Sequence, residues 1–306
     1  MMPRRRGKKS AAACSGVLPG IRLARARSVP REPAPHPRMT LPTLAQSLEL
    51  FRRNGGTAEP YLCHHWPRFV RTREEIERTR PLVAGTKVLD IGAHWLHQTS
   101  IYAYEGMHVA AMDLPDTLAL PDVIAAAAEL GISLHCNDSL ERITALQAFP
   151  DDHFELVLFT EVVEHITFNP VAMWREIFRV TRPGGRIVVT TPNYYALRGR
   201  FWSVRRLLAR YGGGLDVSDI VNLRTYAHHW KEYSMRELIQ YFRLLSPDFR
   251  CIKAVYTEES PPAQPQAVSR HVALAIEKWL PLLRPALHVE LELARKAHGI
   301  VVEPHW

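Results

Sequence analysis

The stretch Lys87-Val88-Leu89-Asp90-Ile91-Gly92-Ala93-His94-Trp95, closed by Val109-Ala110-Ala111-Met112-Asp113, decides the reading of this chain. An apolar run ending on a carboxylate and a glycine predicts a buried strand that feeds a tight turn and a helix. The second apolar run again ends on a carboxylate, Asp113. Such a layout suits a nucleoside cofactor, whose adenosine can lie across the carboxyl ends of two parallel strands. An acid at the end of the second strand can take both ribose hydroxyls in one bidentate contact.

Outward from this unit the pattern alternates. Helices are predicted over Leu41 to Arg53 and Pro67 to Arg78, then strands over Val88 to Gly92 and Val109 to Asp113. Pro121 opens a helix that Gly131 closes. Ile132 to Cys136 is a third strand, and Phe154 to Phe159 reads as a strand buried on both faces. Pro170 to Val180 is helical, Pro183-Gly184-Gly185 a turn, and Arg186 to Thr191 a fifth strand. After an excursion from Pro192 to Tyr233, Ser234-Met235-Arg236-Glu237 is a capping box that starts a helix to about Leu245. Strands at Phe249 to Tyr256 and near His288 to Ala294, with a helix near Val268 to Leu283 between them, complete the chain. Alternation of this kind implies an α/β fold with a parallel sheet and helices on both faces.

The opening motif, with its 23-residue step from Asp90 to Asp113, resembles that of the class I S-adenosylmethionine-dependent methyltransferases. Further along, Asn137-Asp138-Ser139, the segment Phe149 to Val157, Glu161-Val162-Val163-Glu164-His165, Arg182-Pro183-Gly184-Gly185 and Thr191-Pro192-Asn193 match the family in order and spacing. The resemblance implies a Rossmann-like sheet of seven mostly parallel strands, the last antiparallel and inserted between the fifth and sixth. It implies S-adenosylmethionine as cofactor, held by Asp90, Gly92, Ala93, His94, Asp113, Leu114, Asp138, Ser139 and Glu161. The family's usual G-x-G-x-G is broken here, with His94 and Leu96 at the second and third glycine positions. One reading is a slightly wider turn that still binds cofactor. The other is that His94 and His97 line the pocket and alter its use, or that methyl transfer has been lost and the chain is a regulatory or scaffolding cofactor-binding protein.

Glu161, Glu164 and His165 are spaced so that one helical turn would gather all three on a face. They resemble the set in ubiquinone-type O-methyltransferases that faces the acceptor. Glu164 and His165 are therefore candidate catalytic residues, His165 as general base towards a hydroxyl; the same set could hold a divalent cation, though none is assigned. His228-His229-Trp230-Lys231-Glu232-Tyr233-Ser234 resembles a segment of methyltransferases from glycan and lipid-linked sugar pathways, which makes His229 a further candidate at the acceptor, alongside Tyr233. Cys63-His64-His65-Trp66 lacks a second ligand pair at zinc spacing and reads better as an aromatic lid. The resemblance implies O-methylation of a hydroxyl on a small-molecule acceptor: a secondary metabolite, a sugar or a lipid-linked glycan.

The formal charge of +8 does not argue for nucleic acid. Residues 1–38 carry ten Arg or Lys against one Glu, which leaves the remainder at −1. That Arg/Ala/Pro-rich tail is expected to be disordered, with folding beginning near Met39, helices over 39–82 capping the site and the methyltransferase domain over 83–300. Leu197 to Tyr211 is expected to be a cationic amphipathic helix, either packed by its apolar stripe or touching a membrane surface or an anionic acceptor. Four cysteines without paired spacing fit a reducing cytoplasm.

Overall fold

The fully buried Val88, Leu89 and Ile91 belong to the strand on which the sheet is built. The computed structural model describes residues 41–56, 58–197, 208, 229–258 and 268–303. Seven strands form one sheet: β1 (Lys87–Ile91), β2 (His108–Asp113), β3 (Ser133–Cys136), β4 (Phe154–Thr160), β5 (Thr181–Pro192), β6 (Phe249–Thr257) and β7 (Ala286–Leu293). Their order is β3-β2-β1-β4-β5-β7-β6. The first five are parallel, and β7 runs antiparallel to both β5 and β6. The chain reverses direction across the sheet between β1 and β4, so the carboxyl ends of β1, β2 and β4 flank a crevice, the position at which such sheets bind ligands.

Period-two alternation divides the core between two faces. Leu89, Ile91, Val157, Phe159, Ile187 and Val189 pack beneath α6 (Val171–Val180) and α7 (Met235–Leu245). Val88, Val109, Ala111, Leu156 and Leu158 pack beneath α1 (Leu44–Arg53), α2 (Glu59–Thr79), α3 (Thr99–Tyr104) and α5 (Pro121–Leu130); α4 (Pro115–Leu118) follows β2. The N-terminal helices thus share their core with the sheet. Leu50, Leu62 and Ile76 are each fully buried, and each such burial contributes about 1.5–3 kcal/mol. Arg73 of α2 also donates to buried Glu105 at 2.6 Å.

That burial explains the largest departure from the sequence-predicted elements. α2 begins at Glu59 and runs through Pro67 rather than starting there. An interior proline costs about 3 kcal/mol, which is outweighed by burying Leu62, Trp66 and Phe69 on one stripe. β5 begins at Thr181 instead of after the glycine turn: Thr181 already pairs with Phe154, and the register then shifts so that Arg186 faces Leu156. The Pro183-Gly184-Gly185 turn is therefore a bulge within the strand. The α7 capping box forms in full, while α8 (Val268–Trp279) stops short, and Pro281 opens a separate 3-10 turn. Of the expected cationic helix, only Leu197 and Leu208 belong to the described residues, as does none of 1–38. Among the described residues no helix is long and apolar enough to cross a membrane, and Cys63, Cys136 and Cys251 are free thiols.

Candidate functional site

The turn after β1 is tied to β2 by backbone bonds: Gly92 and Ala93 both donate to the Met112 carbonyl, at 2.9 and 3.2 Å. Gly92 has φ 82, and a Cβ there would stand 2.5 Å from Val162 Cγ2, so only glycine fits. His94 and Leu96 take φ 49 and 64. Both keep the left-handed backbone that glycine would adopt, so the turn holds that form without the family's second and third glycines. Leu96 is held in it by complete burial. The His94 ring is held by Trp95 and Tyr61, with centroids 3.9 and 5.1 Å away. Burial pulls the His94 pKa below the ordinary histidine range and that of His65 down to about 3, so both rings are neutral at physiological pH.

Asp113 is oriented by its own turn: its Oδ2 accepts from the His94 N–H and its Oδ1 from the Leu114 N–H, each at 2.6 Å. Asp90 is 1% exposed and accepts from Thr99 Oγ1 at 2.7 Å, leaving Oδ1 without a partner. Burial, reinforced by the Asp113 charge, raises its pKa to about 7. Beyond β3, Asn137 organises the loop by accepting from the Ala145 N–H at 3.0 Å.

A cavity of about 880 Å³ joins these groups. Asp90, Gly92, Ala93, His94, Asp113, Leu114, Glu161, Glu164, His165 and His229 all line it. Asp138 and Ser139 do not: Asp138 is exposed, Ser139 caps a 3-10 turn by accepting from the Glu141 N–H, and the neighbouring Asn137 takes the lining position. His64 and His65 line the cavity, whereas Trp66 of the expected lid packs in the core.

The expectation that one helical turn gathers Glu161, Glu164 and His165 is corrected. Glu161 sits at φ 56, which breaks the helix before it begins, and only Val163–His165 form a 3-10 turn. Glu161 instead pairs with Arg68 at 2.9 Å and accepts from Thr190 Oγ1 at 2.8 Å. Glu164 is fully buried and accepts from Thr191 Oγ1 at 3.0 Å, with Oε1 left 4.0 Å from His165 Nε2. Burial, followed by the Glu161 charge, raises the Glu164 pKa. The Glu164 carbonyl accepts from the Trp230 N–H at 2.7 Å, which brings the ring of His229 within 4.9 Å of that of His165. Donor atoms of Glu164, His165 and His229 all lie within 4.8 Å of one another, a carboxylate–imidazole set that could also hold a divalent cation. Tyr233 packs in the core and bridges Asn193, so it braces the excursion and does not face the cavity.

The sequence alone did not single out Arg68, Glu277 or His288, and it gave the role of Asn137 to its neighbours Asp138 and Ser139; all four of Arg68, Asn137, Glu277 and His288 line the cavity. Arg68 lies in an arginine-rich helix with nothing to mark it. His288 carried a signal, discussed below.

Residues 89–189 match a family model described as a methyltransferase domain. The ubiquinone biosynthesis O-methyltransferase of Xylella fastidiosa is 28% identical over 116 residues, 37% of this chain and 45% of that protein. The protein of the same name from Pseudomonas fluorescens is 25% identical over 177 residues, half of this chain and 74% of that one. In the first of these matches the chain spans about 45% of its relative's length. A chain from the complex of the Haloferax volcanii Trm112 methyltransferase activator with a methyltransferase shares the fold. Its TM-score is 0.50 at 14% identity, covering 81% of this chain and 98% of that one.

Proposed function

We propose that this chain, whose residues 89–189 match a methyltransferase domain, is a class I S-adenosylmethionine-dependent methyltransferase that methylates a hydroxyl of a small-molecule acceptor. The observation that carries this reading is the continuity of one cavity from Gly92 and Asp113 to Glu164, His165 and His229.

The residues fit the family's cofactor, S-adenosylmethionine. Asp113, held by two backbone N–H groups, keeps lone pairs for the ribose hydroxyls. Gly92 leaves the backbone bare where the methionine chain must pass. The Arg68–Glu161 pair offers one charge of each sign to the zwitterionic amino-acid end. When bound, the cofactor supplies a methyl carbon on a sulfonium; transfer to the hydroxyl oxygen breaks the carbon–sulfur bond, leaves its electron pair on sulfur and releases one proton. The protein's task is to orient the acceptor and take that proton. His165, backed by the Glu164 carboxyl and by His229, is the base placed for it, and Glu164 stabilises the imidazolium that results.

Calorimetric titration with S-adenosylmethionine and a methyl-transfer assay test the reading together. Asp113→Ala should weaken the cofactor by about 1–3 kcal/mol. Binding without turnover on any hydroxyl acceptor would favour the non-catalytic alternative, and no binding would overturn the reading.

A further inference from the structure

Of the described residues that line the cavity, three carry a benzenoid or indole ring: Tyr61, Phe69 and Trp95. Phe69 is buried in the core, whereas Tyr61 and Trp95 meet edge to face, with centroids 5.3 Å apart and an interplanar angle of 87°. The His94 ring packs on both, at 5.1 and 3.9 Å. His65, one helical turn after Tyr61, approaches it to 4.2 Å. All four side chains line the cavity and keep part of their surface accessible. Burial holds the two imidazoles below the ordinary histidine range, so the group is a set of uncharged rings. Arg68, close by, has its charge met by Glu161 at 2.9 Å.

The bonding within S-adenosylmethionine fixes what comes to lie beside these rings. Its sulfonium joins the ribose to the methionine chain. Asp113 is the group suited to the ribose hydroxyls, and Gly92 leaves passage for the methionine chain. Residue 94 connects the two, lying two positions after Gly92 and donating its N–H to Asp113 Oδ2 at 2.6 Å. That places the sulfur beside residue 94, next to Tyr61 and Trp95. A cation within about 6 Å of the centroid of a Trp or Tyr ring is attracted by the ring quadrupole, more strongly where water is excluded.

We propose that Tyr61 and Trp95 form an aromatic wall that recognises the positive charge of the sulfonium, so that the site distinguishes S-adenosylmethionine from its thioether product, S-adenosylhomocysteine. Transfer of the methyl group breaks the carbon–sulfur bond and leaves its electron pair on sulfur. The charge that the rings attract is then gone, and the wall favours exchange of spent cofactor for fresh. The inference rests on the methyltransferase reading above and gives two further residues a role in it.

Asp113 and Glu161 also attract a cation, so the test alters the rings alone. The full chain is titrated calorimetrically with S-adenosylmethionine and, separately, with S-adenosylhomocysteine. Tyr61→Leu removes the π face but keeps an apolar side chain, and Tyr61→Phe keeps the face. Tyr61→Leu should raise the Kd of S-adenosylmethionine about tenfold and leave that of S-adenosylhomocysteine unchanged. Tyr61→Phe should restore the wild-type ratio of the two. Trp95→Leu and Trp95→Phe should repeat the pattern, and they carry the test if Tyr61→Leu does not fold. Equal weakening of both ligands in the leucine variants would overturn the proposal, since it would reduce the rings to packing. Unchanged affinity for S-adenosylmethionine would overturn it as well. Wild-type protein that binds neither ligand would instead sink the methyltransferase reading, and this inference with it.

Discussion

Arg68, on the second helix, reaches Glu161 just past the fourth strand at 2.9 Å, with 27% and 21% of the two side chains exposed. The pair ties an N-terminal helix to the strand end that carries the site. Arg68 Nε is buried and makes no hydrogen bond, so the guanidinium retains a donor beyond its contact with Glu161.

If that donor serves a carboxylate of the cofactor, Arg68→Gln should weaken S-adenosylmethionine about ten- to hundredfold, as for a hydrogen bond to a charged group worth ~1.5–3 kcal/mol. Calorimetry would read the change, and the melting temperature should move little because the pair is part-exposed. Unchanged affinity would reduce Arg68 to a brace for Glu161.

Gly92→Ala meets two obstacles at once, a left-handed φ of 82 and a Cβ placed 2.5 Å from Val162 Cγ2. A valine methyl cannot swing away as a long side chain could. The variant should lose more stability than the roughly 0.5–1 kcal/mol glycine normally trades against alanine, and its cofactor affinity should fall at least tenfold. A crystal structure with Val162 undisturbed and full affinity would contradict this account of the turn.

Asp90 makes stability depend on pH in a defined window. Its folded pKa of about 7 stands above the ordinary aspartate value of 3.8. Between those values the folded state binds more protons than the unfolded chain, so stability from this group falls as pH rises from about 4 to 7 and is flat above. Asp90→Asn is neutral throughout. The melting temperature of the variant minus that of the wild type should therefore grow from pH 5 to pH 8, other titrating groups cancelling in the difference. A constant difference would mean that Asp90 stays ionised.

Much of this arrangement is legible in the chain because it repeats local rules. Asp90, Gly92 and Asp113 end apolar runs, and Ser234 with Glu237 forms a capping box that closes as the pattern requires. What escapes is set by tertiary contacts. The spacing of Glu161, Glu164 and His165 suits a helix, yet Glu161 is drawn to Arg68 and Thr190, partners remote in sequence. α2 continues through Pro67 because of what its other face buries. His288 was readable in principle: His288, Glu290 and Glu292 alternate with Val289, Leu291 and Leu293 in a strand buried along nearly its whole length. Polar residues on a buried face demand partners, and the partners here, Arg186 and Thr79, lie on other elements.

The turn after β1 offers the sharpest test, because His94 and Leu96 hold glycine-like φ values for different reasons. Each non-glycine residue in that region costs about 1–2 kcal/mol. Leu96→Gly would recover that cost but would empty a fully buried core position, and large-to-small core changes cost about 2–5 kcal/mol; the variant should melt lower. His94→Gly forfeits ring contacts with Trp95 and Tyr61, worth roughly 0.5–1.5 kcal/mol each beyond the area they bury. It gains relief of strain, less the cost of added chain freedom, so the net change in stability should stay near 1 kcal/mol. The N–H that His94 donates to Asp113 Oδ2 belongs to the backbone and survives the change. Cofactor affinity should accordingly be equal or tighter in His94→Gly. A variant that melts normally yet binds S-adenosylmethionine ten times more weakly would mean that the imidazole itself touches the cofactor.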